Sequence, residues 1–214
     1  MGLGTYYPIF MDLNNQSVLV VGGGNVALRK VKTLIEHEAN VRVISPQIVS
    51  ELQALIDDKR CVWIAREYES GDIQDAVLVF SCTEKEEVNA RVANDARLAN
   101  RPVNVVDDPE KCTFIVPSIM KRGDLTIAVS TGGSSPMVAR QVRAELEELY
   151  GDEMAEYLAL LRSWRPKVKE KLPPEKRQLF WELVTDGQVR SIIKAKRLAE
   201  AKGVIEECFR SLSD

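Results

Sequence analysis

Ser17-Val18-Leu19-Val20-Val21-Gly22-Gly23-Gly24-Asn25-Val26-Ala27 is an apolar, β-branched run that breaks into three glycines and resumes as a helix-compatible segment. Inside it stands G-x-G-x-x-A, from Gly22 to Ala27. Gly22 permits a tight turn, Gly24 lets backbone amides approach a diphosphate, and the small Ala27 lets the next helix lie close to the strand. The start of that helix offers N–H groups and partial positive charge to phosphates. A glycine-rich structural turn is the competing reading. The strand before the motif, the helix after it and a second strand at the expected distance favour dinucleotide binding.

Outward from this stretch, short β-branched runs alternate with amphipathic ones. Strands are expected at Ser17 to Val21, Asn40 to Ser45, Cys61 to Ala65, Ala76 to Ser81 and Pro102 to Val106, and helices at Asn25 to His37, Gln47 to Asp57 and Lys85 to Ala99. The alternation predicts an α/β fold, a Rossmann-type parallel sheet with helices on its faces, over residues 1–116. Residues 117–150 read as a small added αβ module, with one strand at Leu125 to Val129 and a long helix from Pro136 to about Tyr150. Residues 151–214 read as a helical domain, interrupted at Pro166, Pro173-Pro174 and Gly187.

The 214 residues suffice for a sizeable core, and 45% apolar with 29% charged residues is an ordinary globular balance. The longest apolar run, Ala76 to Phe80, is far too short to cross a bilayer. No signal-peptide pattern opens the chain, so a cytoplasmic location is expected. Residues 1–150 carry 16 Lys+Arg against 21 Asp+Glu, net −5, and residues 151–214 carry 13 against 11, net +2. Neither portion argues for a nucleic-acid partner. Cys61, Cys82, Cys112 and Cys208 form no CxxC pair and His37 is the sole histidine, so no metal site is expected and the cysteines read as small apolar residues. His37 closes the first helix, where a partly positive ring suits the helix dipole.

Several positions are candidates for chemistry. The second strand ends Val43-Ile44-Ser45-Pro46-Gln47, without the carboxylate that holds the ribose in many NAD sites. Ser45 and Gln47 could bond the ribose, and Arg42, inside the strand, makes a poor case for a 2′-phosphate; NAD is favoured over NADP. Asn104-Val105-Val106-Asp107-Asp108-Pro109 closes the fifth strand at the carboxyl edge, where ligands lie, which aims Asp107 at a nicotinamide; the alternative is an Asp-Pro turn with both aspartates solvated. Thr83 and Asn89 are cleft candidates after the fourth strand, with a helix cap as the other reading of Thr83. Ser130, Thr131, Gly132, Gly133, Ser134 and Ser135 lead into the helix at Pro136, either as an anion site or as a connector that caps its helix. Arg140 and Arg143 on that helix, with Lys111, Lys121 and Arg122 upstream, could meet a polycarboxylate.

Together these segments resemble the precorrin-2 dehydrogenase family, which includes sirohydrochlorin ferrochelatases and the N-terminal half of siroheme synthase. The likeness rests on Tyr7-Pro8-Ile9-Phe10, the stretch from Val20 to Lys30, Asn104-Val105-Val106-Asp107, Phe114-Ile115-Val116-Pro117-Ser118, and the stretch from Ala128 to Pro136. The resemblance implies NAD-dependent oxidation of precorrin-2 to sirohydrochlorin, with iron insertion in some members. It also implies a homodimer whose subunits exchange the module around residues 117–150, making that module the dimerisation region. In that likeness Asp107 matches the family's general base. Asn25 and Val26 match its cofactor contacts in the glycine loop, and Pro46 with Gln47 those beyond the second strand. Asn104, Ser130, Thr131, Gly132, Ser135 and Arg140 are the expected substrate contacts. Thr131 stands where many members have a second serine. Two readings compete: a regulatory dinucleotide-binding module without turnover, and a lyase that only inserts a metal ion into sirohydrochlorin.

Overall fold

A computed structural model describes residues 6–213, which divide into two compact units at Val116/Pro117. The opening residues 1–5, part of the segment on which the signal-peptide reading rests, lie outside the described residues.

The first unit is a five-stranded parallel sheet in the order β3-β2-β1-β4-β5, from β1 (Ser17–Val21), β2 (Asn40–Ile44), β3 (Val62–Ile64), β4 (Leu78–Ser81) and β5 (Val103–Val105). Parallel strands covered on both faces read as continuous apolar runs, and in β1 everything from Val18 to Val21 is buried. Alternate side chains serve opposite faces. Val18, Val20, Val43 and Phe80 pack with α1 (Asn25–Glu36) and α2 (Ser50–Asp57) through Ala27, Leu28, Val31 and Leu52. Leu19, Val21, Ile44, Val79 and Val103 pack with α3 (Glu86–Leu98) through Val88, Val92 and Ala96. Each buried valine or leucine contributes roughly 1.5–3 kcal/mol. The strand order reverses between β1 and β4, and in such sheets a crevice opens at that point, beyond the strands' carboxyl ends.

The second unit opens with a hairpin. The strand anticipated at Leu125–Val129 (β7) pairs antiparallel with β6 (Ser118–Arg122), which sequence reading had not marked as a strand. Between them Gly123 adopts φ +56°, and a Cβ there would stand 2.9 Å from Ala155. Five helices follow: α4 (Pro136–Leu149), α5 (Glu153–Lys171), α6 (Pro174–Val184), α7 (Gln188–Lys194) and α8 (Leu198–Ser213). The breaks at Pro173-Pro174 and at Gly187, with φ +107°, fall where expected. Pro166 does not break its helix; α5 runs through it. Buried Leu160 and Leu161 before it and Val168 and Leu172 after it join one core with Phe180, Ile193, Ile205 and Phe209, and that shared burial outweighs the roughly 3 kcal/mol a helical proline costs.

Candidate cofactor and catalytic site

The glycine loop gives each glycine a different task. Gly22 donates its N–H to the Ile44 carbonyl at 2.9 Å and holds φ +118°, and a Cβ on it would stand 2.5 Å from the Cys82 carbonyl oxygen. Gly23, which the motif leaves unspecified, is the most confined. Its carbonyl accepts the Val49 N–H at 2.9 Å. A Cβ there would fall on the Gln47 carbonyl oxygen and meet Ile48 Cγ2 and Ser45 Oγ at 2.9 Å. Gly24 is the opposite case. It is the exposed N-cap of α1, no side chain caps the helix, and a Cβ there would meet nothing within 4 Å. Asn25 and Val26 therefore open a helix whose uncapped N-terminus has open space before it, an arrangement that fits a diphosphate.

At the exit of β2, Ser45 is buried and donates its hydroxyl to the Gln47 carbonyl at 2.6 Å, while its own carbonyl accepts the Trp63 indole N–H at 2.8 Å. The Ser45 hydroxyl proton thus shapes the turn and is withheld from a ribose, whereas Pro46 and Gln47 stand exposed. Arg42 is occupied as well, donating to the Asp72 carbonyl at 3.0 Å with Asp75 at 3.7 Å.

The crevice at the strand reversal is a small open cleft lined by buried Val21, Gly22, Ile44, Ser45, Tyr68 and Val88 and by more exposed Pro46, Glu67, Thr83 and Lys85. Sequence reasoning missed Glu67, Tyr68 and Lys85. The signal was available, because Glu67 and Tyr68 follow β3 at the same carboxyl edge as the glycine loop. Burial and the hydrogen bond to Asp95 raise the Tyr68 hydroxyl far above its ordinary titration range, and that bond, 2.8 Å long, ties the segment to α3. Thr83 turns the chain into α3 without being its N-cap: its Oγ1 accepts the N–H of Lys85, which holds the N-cap position. Asn89 is structural, buried, accepting the Ser81 hydroxyl at 2.7 Å and donating to the Thr83 carbonyl at 3.0 Å.

Beyond β5 the two aspartates separate. Asp108 Oδ1 accepts the Lys111 N–H and so caps the 3-10 turn Pro109–Lys111, and its carboxylate pairs with the Lys111 ammonium. Glu86 takes the same ammonium at 2.6 Å, so the two acids push Lys111 up to about 12, and Lys111 holds Asp108 below the usual carboxylate range. Asp107 is exposed at φ +62°, and no hydrogen bond or ion pair engages its carboxylate among the described residues. Beneath the turn, the Cys112 sulfur accepts the Val105 N–H at 3.2 Å and lies 3.2 Å from the Val105 and Asp108 carbonyls, while Asn104 donates its side-chain amide to the Phe114 carbonyl at 3.1 Å. Asn104 and Cys112 hold the shape of the strand end.

In the second unit, the Thr131 hydroxyl donates to the Ser135 carbonyl and accepts the Ser135 N–H, each at 3.0 Å, Ser130 Oγ accepts the Gly132 N–H at 3.0 Å, and Ser135 Oγ caps α4 through the Val138 N–H at 3.3 Å. Of the basic groups anticipated for a polycarboxylate, Lys111, Arg122 and Arg143 are occupied by Asp108 and Glu86, by Asp152 and by Glu147 respectively. Arg140 is exposed on α4, its guanidinium 3.4 Å from the Pro136 carbonyl and Met137 Sδ, with no carboxylate paired to it among the described residues. Also among those residues, no three His, Cys, Asp or Glu side chains gather as a metal site, and no helix is long and apolar enough to cross a membrane. His37 caps the end of α1, its Nδ1 2.8 Å from the Thr33 carbonyl.

A parallel sheet in this order, with a glycine loop and an uncapped helix at its reversal point, defines a Rossmann-type dinucleotide-binding unit. Comparison with known proteins agrees. Residues 9–118 match the family model described as "Putative NAD(P)-binding", residues 122–149 the one described as "Sirohaem biosynthesis protein central", and residues 154–208 the "Sirohaem synthase dimerisation region". The chain belongs to this NAD(P)-binding family, and its two further matched regions follow that unit in sequence. It is 39% identical to the siroheme synthase of Mannheimia succiniciproducens and 41% identical to that of Actinobacillus succinogenes, over 94% of this chain and 42% of each relative. The chain therefore spans less than half the length of these relatives. The solved structure of SirC, precorrin-2 dehydrogenase, superimposes with a TM-score of 0.80 at 23% identity, over 94% of this chain and 100% of that one, a likeness of fold.

Proposed function

We propose that the protein is a precorrin-2 dehydrogenase that uses NAD to convert precorrin-2 to sirohydrochlorin. The observation that carries this reading is the pairing of an open, uncapped α1 N-terminus at Gly24 with a carboxylate, Asp107, kept unengaged at the end of β5. NAD, when bound, supplies a hydride acceptor. Gly24, Asn25 and Val26 hold its diphosphate, and Pro46 and Gln47 border its adenosine. NAD is preferred to NADP because Arg42, the basic side chain of β2, is turned onto Asp72 and Asp75. Asp107 takes the proton that leaves the substrate with the hydride, a general-base role open to an exposed carboxylate. Asn104 in the first unit and, in the second, Ser130, Thr131, Gly132, Ser135 and Arg140 are each put forward as substrate contacts, with Arg140 available for a carboxylate of the macrocycle.

The working form is a homodimer exchanging the module around residues 117–150. Two observations support a dimer: residues 154–208, downstream of that module, match a dimerisation region, and the apolar side chains of Met137, Val138 and Leu149 are left exposed on α4 within the module. Anaerobic incubation with precorrin-2 and NAD, followed by absorbance of sirohydrochlorin and NADH, tests the proposal. Asp107→Asn is expected to lower turnover at least ~100-fold, the usual scale of a general base, with NAD affinity unchanged. Wild-type turnover by that variant would remove the assigned base. NAD binding by the native protein without turnover would instead identify a regulatory module.

A further inference from the structure

Many Rossmann sites hold the adenosine ribose with an acid at the end of the second strand, and here that position offers only Ser45, whose hydroxyl is turned onto the Gln47 carbonyl. A carboxylate does reach the cleft, from the neighbouring strand. Glu67 follows β3, lines the same cleft as Pro46, and pairs with Lys85 at the head of α3 at 2.6 Å. Its flanks are fixed: Arg66 forms two hydrogen bonds to Asp72, at 2.9 and 2.7 Å, and Tyr68 is buried with its hydroxyl on Asp95. The ion pair joins the segment after β3 to the start of α3, two elements that border the cleft from different strands.

We infer that Glu67 supplies the ribose-recognising carboxylate missing from β2, and that Lys85 holds it in place, so that the pair sets preference for a nicotinamide nucleotide without a 2′-phosphate. This rests on the reading of the cleft as the nicotinamide-nucleotide site. A carboxylate accepts hydrogen bonds from ribose hydroxyls and repels a phosphate dianion at the same place. Lys85 opposes that selection if it stands alone, since a free ammonium attracts the phosphate. Glu67 therefore has to act while paired.

Calorimetric titration of the full chain with NAD and, separately, NADP tests this at low and at 0.5 M salt. The native protein is expected to bind NAD about tenfold or more tightly than NADP, the scale of one charge-assisted hydrogen bond at an exposed site. Glu67→Gln is expected to bring the two affinities within about threefold, Glu67→Asp to restore part of the preference, and Lys85→Met to weaken it, because the carboxylate is then no longer held in place. Salt should narrow the native difference, because exposed charges are screened. An unchanged NADP-to-NAD ratio in Glu67→Gln overturns the assignment of Glu67 while leaving the nucleotide site intact. Failure of the native protein to bind either nucleotide overturns the nucleotide site, and this proposal with it.

Discussion

Gly23→Ala and Gly24→Ala add the same methyl group one residue apart, and the structure assigns them opposite consequences. At Gly23 the new Cβ would fall on the Gln47 carbonyl oxygen and press on Ile48 Cγ2 and Ser45 Oγ, both at 2.9 Å. The first obstacle is backbone, so no rotamer change relieves it. Relief requires the loop after β1 to draw away from the lead-in to α2, which stretches the 2.9 Å bond from Val49 N–H to the Gly23 carbonyl. Overpacking of a tight site costs about 1–3 kcal/mol, and a backbone obstacle with a strained hydrogen bond belongs at the upper end. For a chain of this size that lowers the melting temperature of the first unit by roughly 6–10 °C. At Gly24 a Cβ meets nothing within 4 Å, and the backbone there is extended at φ −86°, so Ala should cost less than about 1 kcal/mol, the loss of a modest N-cap. The open space it fills is the diphosphate approach, and NAD affinity should fall about tenfold or more. Urea unfolding followed by fluorescence in a Trp164→Phe, Trp181→Phe background, where Trp63 is the sole tryptophan, with NAD titration of each folded variant, separates the two effects. A Gly23→Ala protein with the native urea midpoint, or a Gly24→Ala protein that loses stability and keeps NAD affinity, would refute the division of labour in the loop.

Two further outcomes follow from buried polar groups. Glu153 is buried and accepts from Arg190 at 2.8 and 3.2 Å, while Arg190 also donates to the Leu149 carbonyl at 2.8 Å, joining α4, α5 and α7. Arg190→Met should therefore cost about 2–4 kcal/mol in urea unfolding at pH 7, because it leaves a buried carboxylate unpaired. Arg190 holds Glu153 below its ordinary 4.5, so the pair's contribution is present above that value and is lost as the pH falls through the depressed folded-state value. The gap between native and variant stability should shrink from pH 7 to pH 3, and a constant gap would show that the charge pair is not its source. Burial pushes the Cys82 thiol up to about 11 and raises Cys61, Cys112 and Cys208 as well. Thiolate is the reactive form, so Ellman's reagent at pH 7.5 should modify the folded protein slowly and all four thiols promptly in 6 M guanidinium; rapid reaction of a native thiol would contradict the burial.

Much of the fold was legible because the parallel strands carry their information locally. Val18 to Val21 and Leu78 to Ser81 are buried on both faces and read as unbroken apolar runs, and the helix stripes repeat at helical spacing. What escaped reading was decided by partners distant in sequence. Ser118-Ile119-Met120-Lys121-Arg122 lacks a clean apolar alternation and becomes a strand because Leu125–Val129 folds back on it. Pro166 stays helical because residues on both sides of it share the core with α6 and α8. The motif identified Gly22 and Gly24 but not Gly23, whose constraint comes from Gln47 and Ile48, two dozen positions away. Glu67 stood at a readable place, just after β3 at the carboxyl edge, and what its own stretch did not show was the ion pair with Lys85 eighteen positions on.

Asp107 and Asp108 show where pattern alone stops. Sequence offers two adjacent carboxylates before a proline, and an Asp-Pro turn explains both. The structure divides them by one backbone conformation. Asp108 closes the 3-10 turn and takes Lys111, and Asp107, at φ +62°, is left out of that network. Few side chains tolerate the left-handed region, and Asp is among those that do so at the smallest cost. The turn is held from below by the Cys112 sulfur on Val105 and Asp108 and by Asn104 on the Phe114 carbonyl. A conformation maintained by that many neighbours, at the carboxyl edge of the sheet, presents a carboxylate with no structural task there, and it is from such outliers that a functional assignment is properly drawn. Replacing Cys112 with serine should then disturb Asp107 through the turn, lowering turnover while the nucleotide cleft, built from β1 to β4, keeps its affinity.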